Sequence, residues 1–590
     1  MIPHSHRALI VAFACGTLSS SLDARPGGET VTIAVEGVHK VSDTQGSFFG
    51  PLNDFDRFGA AVRALGDLDG DGLQEIAVGA PGDLDSQGTV WILTRHAQGD
   101  ILGERRLTPD EIGLPSTDGD FGAAIAHLGD LNGDTIVDIA VGAPASVGGG
   151  SFSVLFLGPD GSVQGGRRIA DGMNGFNGPL EDTDRFAFSL APLCDLGQDG
   201  TLELAVGAIY DDDPGGGVLA DRGAVWIVSL DPTGLVVGQT KISQSQGGFR
   251  GGLERGDFFG SALASVGDLN GDGTHDLAVG SFGRDLGGTD RGAVWILFLD
   301  GTGGVDSYVE IGHGTGGFAG ALEDGDRFGS GLAFLGNVDA PHDLPLLAIG
   351  AEGDDGGRGA VWLVHLTVGG TVCSTTRIGA EHMPGAPLQP FDLFGRGMAS
   401  AATNNAADPD LFVGSPLDDD GGTNRGALRT VLLDITPTVE PYCFGRPEIC
   451  PCGNVGMPGT GCAHPLGGGV RLQAEFGGPV TTCGGPTPSG EVTFLGDGFR
   501  ADTTPTVLLI RGLERAGNGL GVPFGDGLLC FEAPILRILP GVASQGAVSL
   551  ETTHRSGPGE FHYQLWYRSV GEFCTPAPFN LSNGLTIVWP

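Results

Sequence analysis

The sequence predicts an all-β chain: a β-propeller, six blades favoured and seven left open, followed by a small disulfide-containing β-rich domain. Three observations predict it. One unit recurs six times between residues 25 and 440, anchored by Phe58, Phe121, Phe186, Phe259, Phe328 and Phe394 at spacings of 63 to 73 residues. Each unit holds four strand-like runs, and four strands per unit repeated radially is a propeller pattern. Glycine punctuates the runs, 108 of 590 residues with no Gly-X-Y period. That excludes collagen and fits short strands joined by tight turns.

At the amino end, His4, His6 and Arg7 precede an apolar run from Ala8 to Cys15. Small and polar residues follow, a pattern expected of a secretory signal peptide spanning 1–24 and cut near Ala24. A lipid on Cys15 would need a better match than "AFAC". No later stretch reaches the roughly 20 apolar residues of a spanning helix, so the expectation is a secreted or cell-surface protein without a transmembrane segment. The chain carries 72 acidic and 31 basic side chains, a formal charge of −41, with Lys40 and Lys241 its only lysines. Nucleic acid and anionic membranes would be repelled. Residues 441–590 hold −3 of that charge, so the acidity belongs to residues 1–440, where it fits either a solvated surface or divalent-cation sites.

The units themselves are plain. "DRFGAAVRALGDLDGDGLQEIAVGAPGD" from Asp56 and "GDFFGSALASVGDLNGDGTHDLAVGSFG" from Gly256 are variants of one line. The first strand follows the Phe, and the second is the small-residue run "IAVGAP". The third is aromatic and aliphatic ("TVWILT", "AVWILFL"), and the fourth is polar and alternating ("GQTKIS"). A parallel β-helix would need a much shorter repeat. The last unit ends with "GALRTVLLD" and lacks a fourth run, while Thr32–Asp43 stands as a spare one before the first Phe. The amino-terminal strand is therefore expected to complete the last blade and close the ring.

The units resemble FG-GAP repeats, the propeller units of integrin α-subunits and related extracellular proteins. Phe58-Gly59, Phe121-Gly122, Phe259-Gly260, Phe328-Gly329 and Phe394-Gly395 match the first half of the motif, and Phe186-Ala187 departs from it. Gly79-Ala80-Pro81 and Gly142-Ala143-Pro144 match the second. The resemblance covers most of residues 50–435. It implies an extracellular binding or adhesion role, and the seven blades of integrin propellers keep seven open here.

The stretch "GDLNGDGTHDLAVG" from Gly267 starts like an EF-hand loop, but its twelfth position is Val279 inside a strand-like run. The resemblance instead places such D-x-D/N-x-D-G-x-x-D loops in the hairpin between the first two strands. Alternate side chains of a tight loop converge on one centre, a carbonyl at the seventh position adds a ligand, and a carboxylate at the ninth closes the shell. A set of hard oxygens suits Ca²⁺. Unit 1 offers Asp67, Asp69, Asp71, the Leu73 carbonyl and Glu75. Unit 2 offers Asp130, Asn132, Asp134, the Ile136 carbonyl and Asp138, with Thr135 in place of the turn glycine. Unit 4 offers Asp268, Asn270, Asp272, the Thr274 carbonyl and Asp276. Unit 3 keeps Asp195, Asp199 and Glu203 but has Gly197 at the third position, while units 5 and 6 have lost the pattern. A single acidic turn would be ordinary hairpin chemistry. Three in register favour calcium, with a structural role.

A second acidic stretch follows the GAP position, as in "GDDGGRGAVW", and reads as a turn with an Arg counter-charge at Arg222, Arg291, Arg358 and Arg425. A ligand surface on that rim is the alternative. Arg255-Gly256-Asp257 aligns with "DGDRFG" of unit 5 and is read as a repeat variant rather than an adhesion motif.

After Pro441 the repeat stops and Cys443, Cys450, Cys452, Cys462, Cys483, Cys530 and Cys574 appear. Export and the lack of paired C-x-x-C favour disulfides over zinc in this 441–590 domain. An odd number leaves one free, or paired with Cys194 or Cys373. The lines "YQLWYR" and "FCTPAPFNLSNGL" resemble a carboxy-terminal module of exported bacterial proteins, to which no function attaches. No G-x-S-x-G, H-E-x-x-H or P-loop is present. The expected function is extracellular binding, adhesion or scaffolding toward an unidentified protein or glycan. The alternatives are an extracellular hydrolase using the propeller channel and a purely structural surface protein.

Overall fold

The computed structural model describes residues 31–96, 99–115, 119–213, 221–339, 344–401 and 409–437, and beyond 437 the backbone of strands only. Ile33–Val338 with Leu344–Asp434 forms one compact unit, the ring. Strand β1 (Val31–Val41) precedes five four-stranded sheets. The first is β2–β5 (Ala61–Gly66, Gln74–Ala80, Thr89–Arg95, Ile101–Leu107) and the second β6–β9 (Ala124–Gly129, Asp138–Ala143, Ser151–Leu157, Val163–Ile169). The third is β10–β13 (Phe186–Pro192, Leu202–Ala208, Ala224–Leu230, Val236–Ile242) and the fourth β14–β17 (Phe259–Gly267, Asp276–Ser281, Ala293–Leu299, Val305–Gly312). The fifth is β18–β21 (Phe328–Asp339, Leu344–Ala351, Ala360–Leu366, Val372–Ile378). The sixth sheet runs β22 (Met398–Ala401), β23 (Asp410–Ser415), β24 (Ala427–Pro437) and then β1. The ring therefore has six blades, and the amino-terminal strand completes the last one.

The recurring motif has a physical explanation in the joints between blades. Each anchoring Phe makes a parallel bridge to a glycine of the preceding blade: Phe121 to Gly88, Phe186 to Gly150, Phe259 to Gly223, Phe328 to Gly292, Phe394 to Gly359, and Phe58 to Gly426 across the closure. The glycine after the Phe is left-handed, with φ of 92° at Gly59 and 90° at Gly260. The glycine of "VGAP" is needed for space. A Cβ on Gly79 would lie 1.9 Å from the Gly122 carbonyl oxygen of the next blade, and one on Gly414 1.8 Å from that of Gly59. The third unit departs from the motif and keeps the geometry, with Ala187 at φ 68°, a conformation costing an L-residue about 1–2 kcal/mol.

The core lies between blades. Phe58, Phe186, Phe259 and Phe328 are fully buried, and each packs on a second Phe ten positions earlier, Phe48, Phe176, Phe249 and Phe318, at 4.7 to 5.2 Å, the first three pairs stacked and the last tilted by 44°. That second ring meets the strand-three Trp edge-on, as Phe249 meets Trp295 at 5.2 Å and 90°. Such aromatic pairs add about 0.5–1.5 kcal/mol beyond their burial. In the sixth blade Arg429 stands where blades one, three, four and five have Trp, fully buried and held by Asp418 at 2.8 Å and the Ser415 hydroxyl at 2.6 Å.

The acidic stretches after the GAP position are turns; Asp83–Ser86 and Asp354–Gly357 each form one helical turn with left-handed residues inside. The expected counter-charge is only partly local. Arg358 pairs with Asp355 of its own turn at 3.2 Å, whereas Arg291 reaches Asp324 at 2.8 Å and Arg425 reaches Asp43 at 2.7 Å, both on other loops. The carbonyls of Arg222, Arg291, Arg358 and Arg425 all accept the anchoring Phe N–H of the next blade. Asp257 of the Arg-Gly-Asp tripeptide is 1% exposed and paired with Arg284 at 3.0 Å, which gives it a structural place.

Beyond 437 the chain is again β: Arg471–Gly477, Glu491–Asp497 and Ala547–Thr553 form one sheet. Leu536–Val542, Thr506–Gly512, Gly559–Arg568, Asn580–Leu581 and Leu585–Trp589 form a second. The cysteines of this part and the expected signal peptide lie outside the described residues. Cys373 is a free thiol, which removes it as a disulfide partner. Among the described residues no helix is long and apolar enough to cross a membrane.

Candidate cation loops

The three loops lie in the hairpins β2–β3, β6–β7 and β14–β15, at the same end of their blades. Each is wound by its own side chains. In the fourth blade the Asp268 carboxylate accepts the N–H groups of Gly271, Asp272 and Gly273 at 2.7 to 3.0 Å. Asp272 accepts from Thr274 N–H at 2.8 Å, and Asn270 donates its Nδ2 to Asp272 at 2.7 Å. The second blade repeats this atom for atom with Asp130, Asn132 and Asp134. Its Thr135 adopts φ 77° where the other loops have Gly72 at 88° and Gly273 at 93°. In the first blade Asp67, Asp69 and Asp71 bring carboxylate oxygens within 4.8 Å of one another. None of the loop carboxylates of these three blades forms a salt bridge among the described residues.

The ninth-position acid is a different kind of residue. Asp276 and Asp138 are 0% exposed and Glu75 4% exposed, because each opens strand two and points beneath the loop. Asp276 accepts from Leu269 N–H at 3.0 Å and from Leu299 N–H of strand three at 3.2 Å. Asp138 does the same with Leu131 and Leu157. Burial pushes Asp276 up to about 7 and Asp138 up to about 6, and Glu75 is raised by burial and by the Asp69 and Asp71 charges. A carboxylate held under like charges favours a bound cation. Glu75 Oε2 accepts from Leu68 N–H at 2.7 Å; the Thr94 side chain opposite tempers the rise, and the buried Oε1 has no well-formed hydrogen bond among the described residues. The donors are all oxygen, so the set fits a hard divalent ion.

The third blade differs from the first in what its ninth-position acid meets. Glu203 keeps the buried bond to Leu196 N–H at 2.7 Å, but the Thr201 hydroxyl donates to Glu203 Oε1 at 2.8 Å and lies 2.6 Å from Asp199. The oxygen without a well-formed hydrogen bond in the first blade is already satisfied here. The fourth loop also has a threonine at its seventh position, Thr274, but there the ninth residue is the shorter Asp276.

The FG-GAP repeat model matches residues 58–93 and 259–297, the first and fourth blades. Integrin alpha-V of Gallus gallus is 31% identical over 227 residues, 38% of this chain and 20% of that one. Integrin alpha-5 of Xenopus laevis is 32% identical over 239 residues, 39% of this chain and 20% of that one. The chain thus spans about a fifth of the length of these relatives. A solved structure of a DUF4221-family member from Bacteroides vulgatus covers 69% of this chain at 9% identity and a TM-score of 0.36, too distant to bear on fold or function. With six blades joined through Phe-Gly and Val-Gly contacts, the chain folds as a β-propeller, matches the FG-GAP repeat at residues 58–93 and 259–297, and is similar over part of its length to integrin α chains.

Proposed function

We propose that the protein is an exported, calcium-binding FG-GAP propeller that works outside the cell by binding or adhesion. In this reading residues 1–24 are removed on export, 25–440 form the propeller and 441–590 a separate disulfide-containing domain. Calcium is held by Asp67, Asp69, Asp71, Leu73 and Glu75; by Asp130, Asn132, Asp134, Ile136 and Asp138; and by Asp268, Asn270, Asp272, Thr274 and Asp276. The observation that carries the proposal is the buried Glu75 Oε1, without a well-formed hydrogen bond among the described residues, beneath three converging carboxylates. The integrin relatives support the extracellular binding role. Calcium fixes the hairpins, whose carboxylates would otherwise repel, and the partner is an extracellular protein or glycan. No catalytic step is assigned.

The test is elemental analysis of the purified chain, joined to glycan-array and cell-surface binding with calcium and with chelator. About three calcium ions per chain and a binding signal lost with chelator are expected. Absence of bound calcium, or binding indifferent to chelator, would overturn the calcium-dependent reading.

A further inference from the structure

The first strands β2, β6, β10, β14, β18 and β22 each end their sheet. Residues from all six line an axial cavity of about 70 Å³. Two cationic side chains are in that lining, Arg63 and Arg396. Arg396 lies over the Phe188 ring at 4.8 Å and pairs with Glu352 at 3.3 Å, a carboxylate it shares with Arg327 at 3.2 Å. Arg63 has no such partner. Its Nε donates to the Ile125 carbonyl at 3.4 Å, and its Nη groups make no hydrogen bond among the described residues.

The surroundings of Arg63 do not compensate it. Arg63 is half-buried, and desolvation brings its guanidinium down to about 10. Its titratable neighbour is His127, whose Nδ1 accepts Gly129 N–H at 3.2 Å and which burial and the Arg63 charge hold below the ordinary histidine range. Elsewhere in the ring, inward cations meet carboxylates: Arg95 with Asp410 at 2.8 Å, Arg429 with Asp418 at 2.8 Å, Lys241 with Asp211 at 2.5 Å. In a chain of net charge −41, the cavity lining holds two guanidinium groups, Arg63 and Arg396, and no carboxylate.

We propose that the axial cavity binds a small oxyanion through the Nη groups of Arg63, with Arg396 as the second cation of the lining. A guanidinium presents parallel N–H donors that match two oxygens of a carboxylate, sulfate or phosphate. A cavity of about 70 Å³ has room for such an ion. The site is separate from the calcium loops, and its success or failure is independent of theirs.

The test is calorimetric titration of the full chain with sulfate and with acetate at ionic strength held constant by chloride, on wild type, Arg63→Met and Arg63→Lys. Wild type should bind at least one of the two, and Arg63→Met should bind it at least tenfold more weakly. Arg63→Lys, which keeps the charge without the fork, should fall between them. Sulfate binding assigns a tetrahedral oxyanion, acetate binding a carboxylate. No heat with either anion in wild type, meaning that water alone serves Arg63, would overturn the proposal. So would equal affinity in Arg63→Met, or in Arg63→Lys if the Met variant does not fold.

Discussion

Replacing Asp272 by Ala in the fourth blade separates a cation loop from an acidic turn. If the three loops bind calcium only in the folded ring, each contributes RT ln(1 + [Ca²⁺]/Kd), about 2.7 kcal/mol at a hundredfold excess over the dissociation constant. Three independent loops on different blades would give about 8 kcal/mol, and Asp272→Ala should leave about 5.4. The substitution also removes the acceptor for Thr274 N–H and for Asn270 Nδ2, which costs about 1 kcal/mol with chelator present. The quantity to compare is therefore the calcium increment, not the absolute stability. Asp199→Ala is the matched control: it removes the acceptor for Thr201 N–H and Oγ1, with a similar loss in chelator, in a blade where Thr201 already satisfies Glu203. Denaturant titrations of the three proteins, with saturating calcium and with chelator, read both numbers. A calcium increment unchanged in Asp272→Ala, or reduced as much in Asp199→Ala, would refute the assignment of competent loops.

Three further outcomes are expected. Phe259→Ala should destabilise the ring by about 3–5 kcal/mol, and a double-mutant cycle with Phe249 should show about 0.5–1.5 kcal/mol of coupling; negligible coupling would deny the stacked pair a role. Gly79→Ala should reduce the yield of folded ring, since its Cβ would meet a backbone carbonyl oxygen at 1.9 Å. Gly66→Ala, left-handed at φ 79° but in open space, should cost only about 1–2 kcal/mol, and equal losses would refute the packing argument. Burial raises Asp184 to about 7 and Asp392 to about 6. Their folded pKa values lie above the unfolded ones, so their contribution is full below about pH 4. It is lost as pH rises through 6 to 7, and Asp184→Asn should flatten that decline in chelator-treated protein, as followed by melting temperature against pH.

Much of this protein is legible in its sequence because the same physical constraint repeats. Six Phe anchors, five followed by four runs of differing polarity and the last by three, determine six sheets, and the spare run at Thr32–Asp43 with the missing one after "GALRTVLLD" determines how the ring closes. Alternation of Asp and Asn in a hairpin likewise determines that side chains converge, since they wind the loop through local hydrogen bonds. Other features were decided by residues far apart in sequence. The FG and GAP glycines are written in the chain, but their reason, a carbonyl of the next blade at under 2 Å from where a Cβ would be, exists only when two blades meet. The second Phe at positions 48, 176, 249 and 318 sits in stretches that look like loops, and only packing against Trp and the anchor makes them core. Thr201 closes the third loop by a bond that depends on where strand two begins. Arg63 reads as an ordinary polar residue in "AAVRALGD"; the closure of six blades around one axis is what places it in a cavity lining, half-buried and with no carboxylate partner among the described residues.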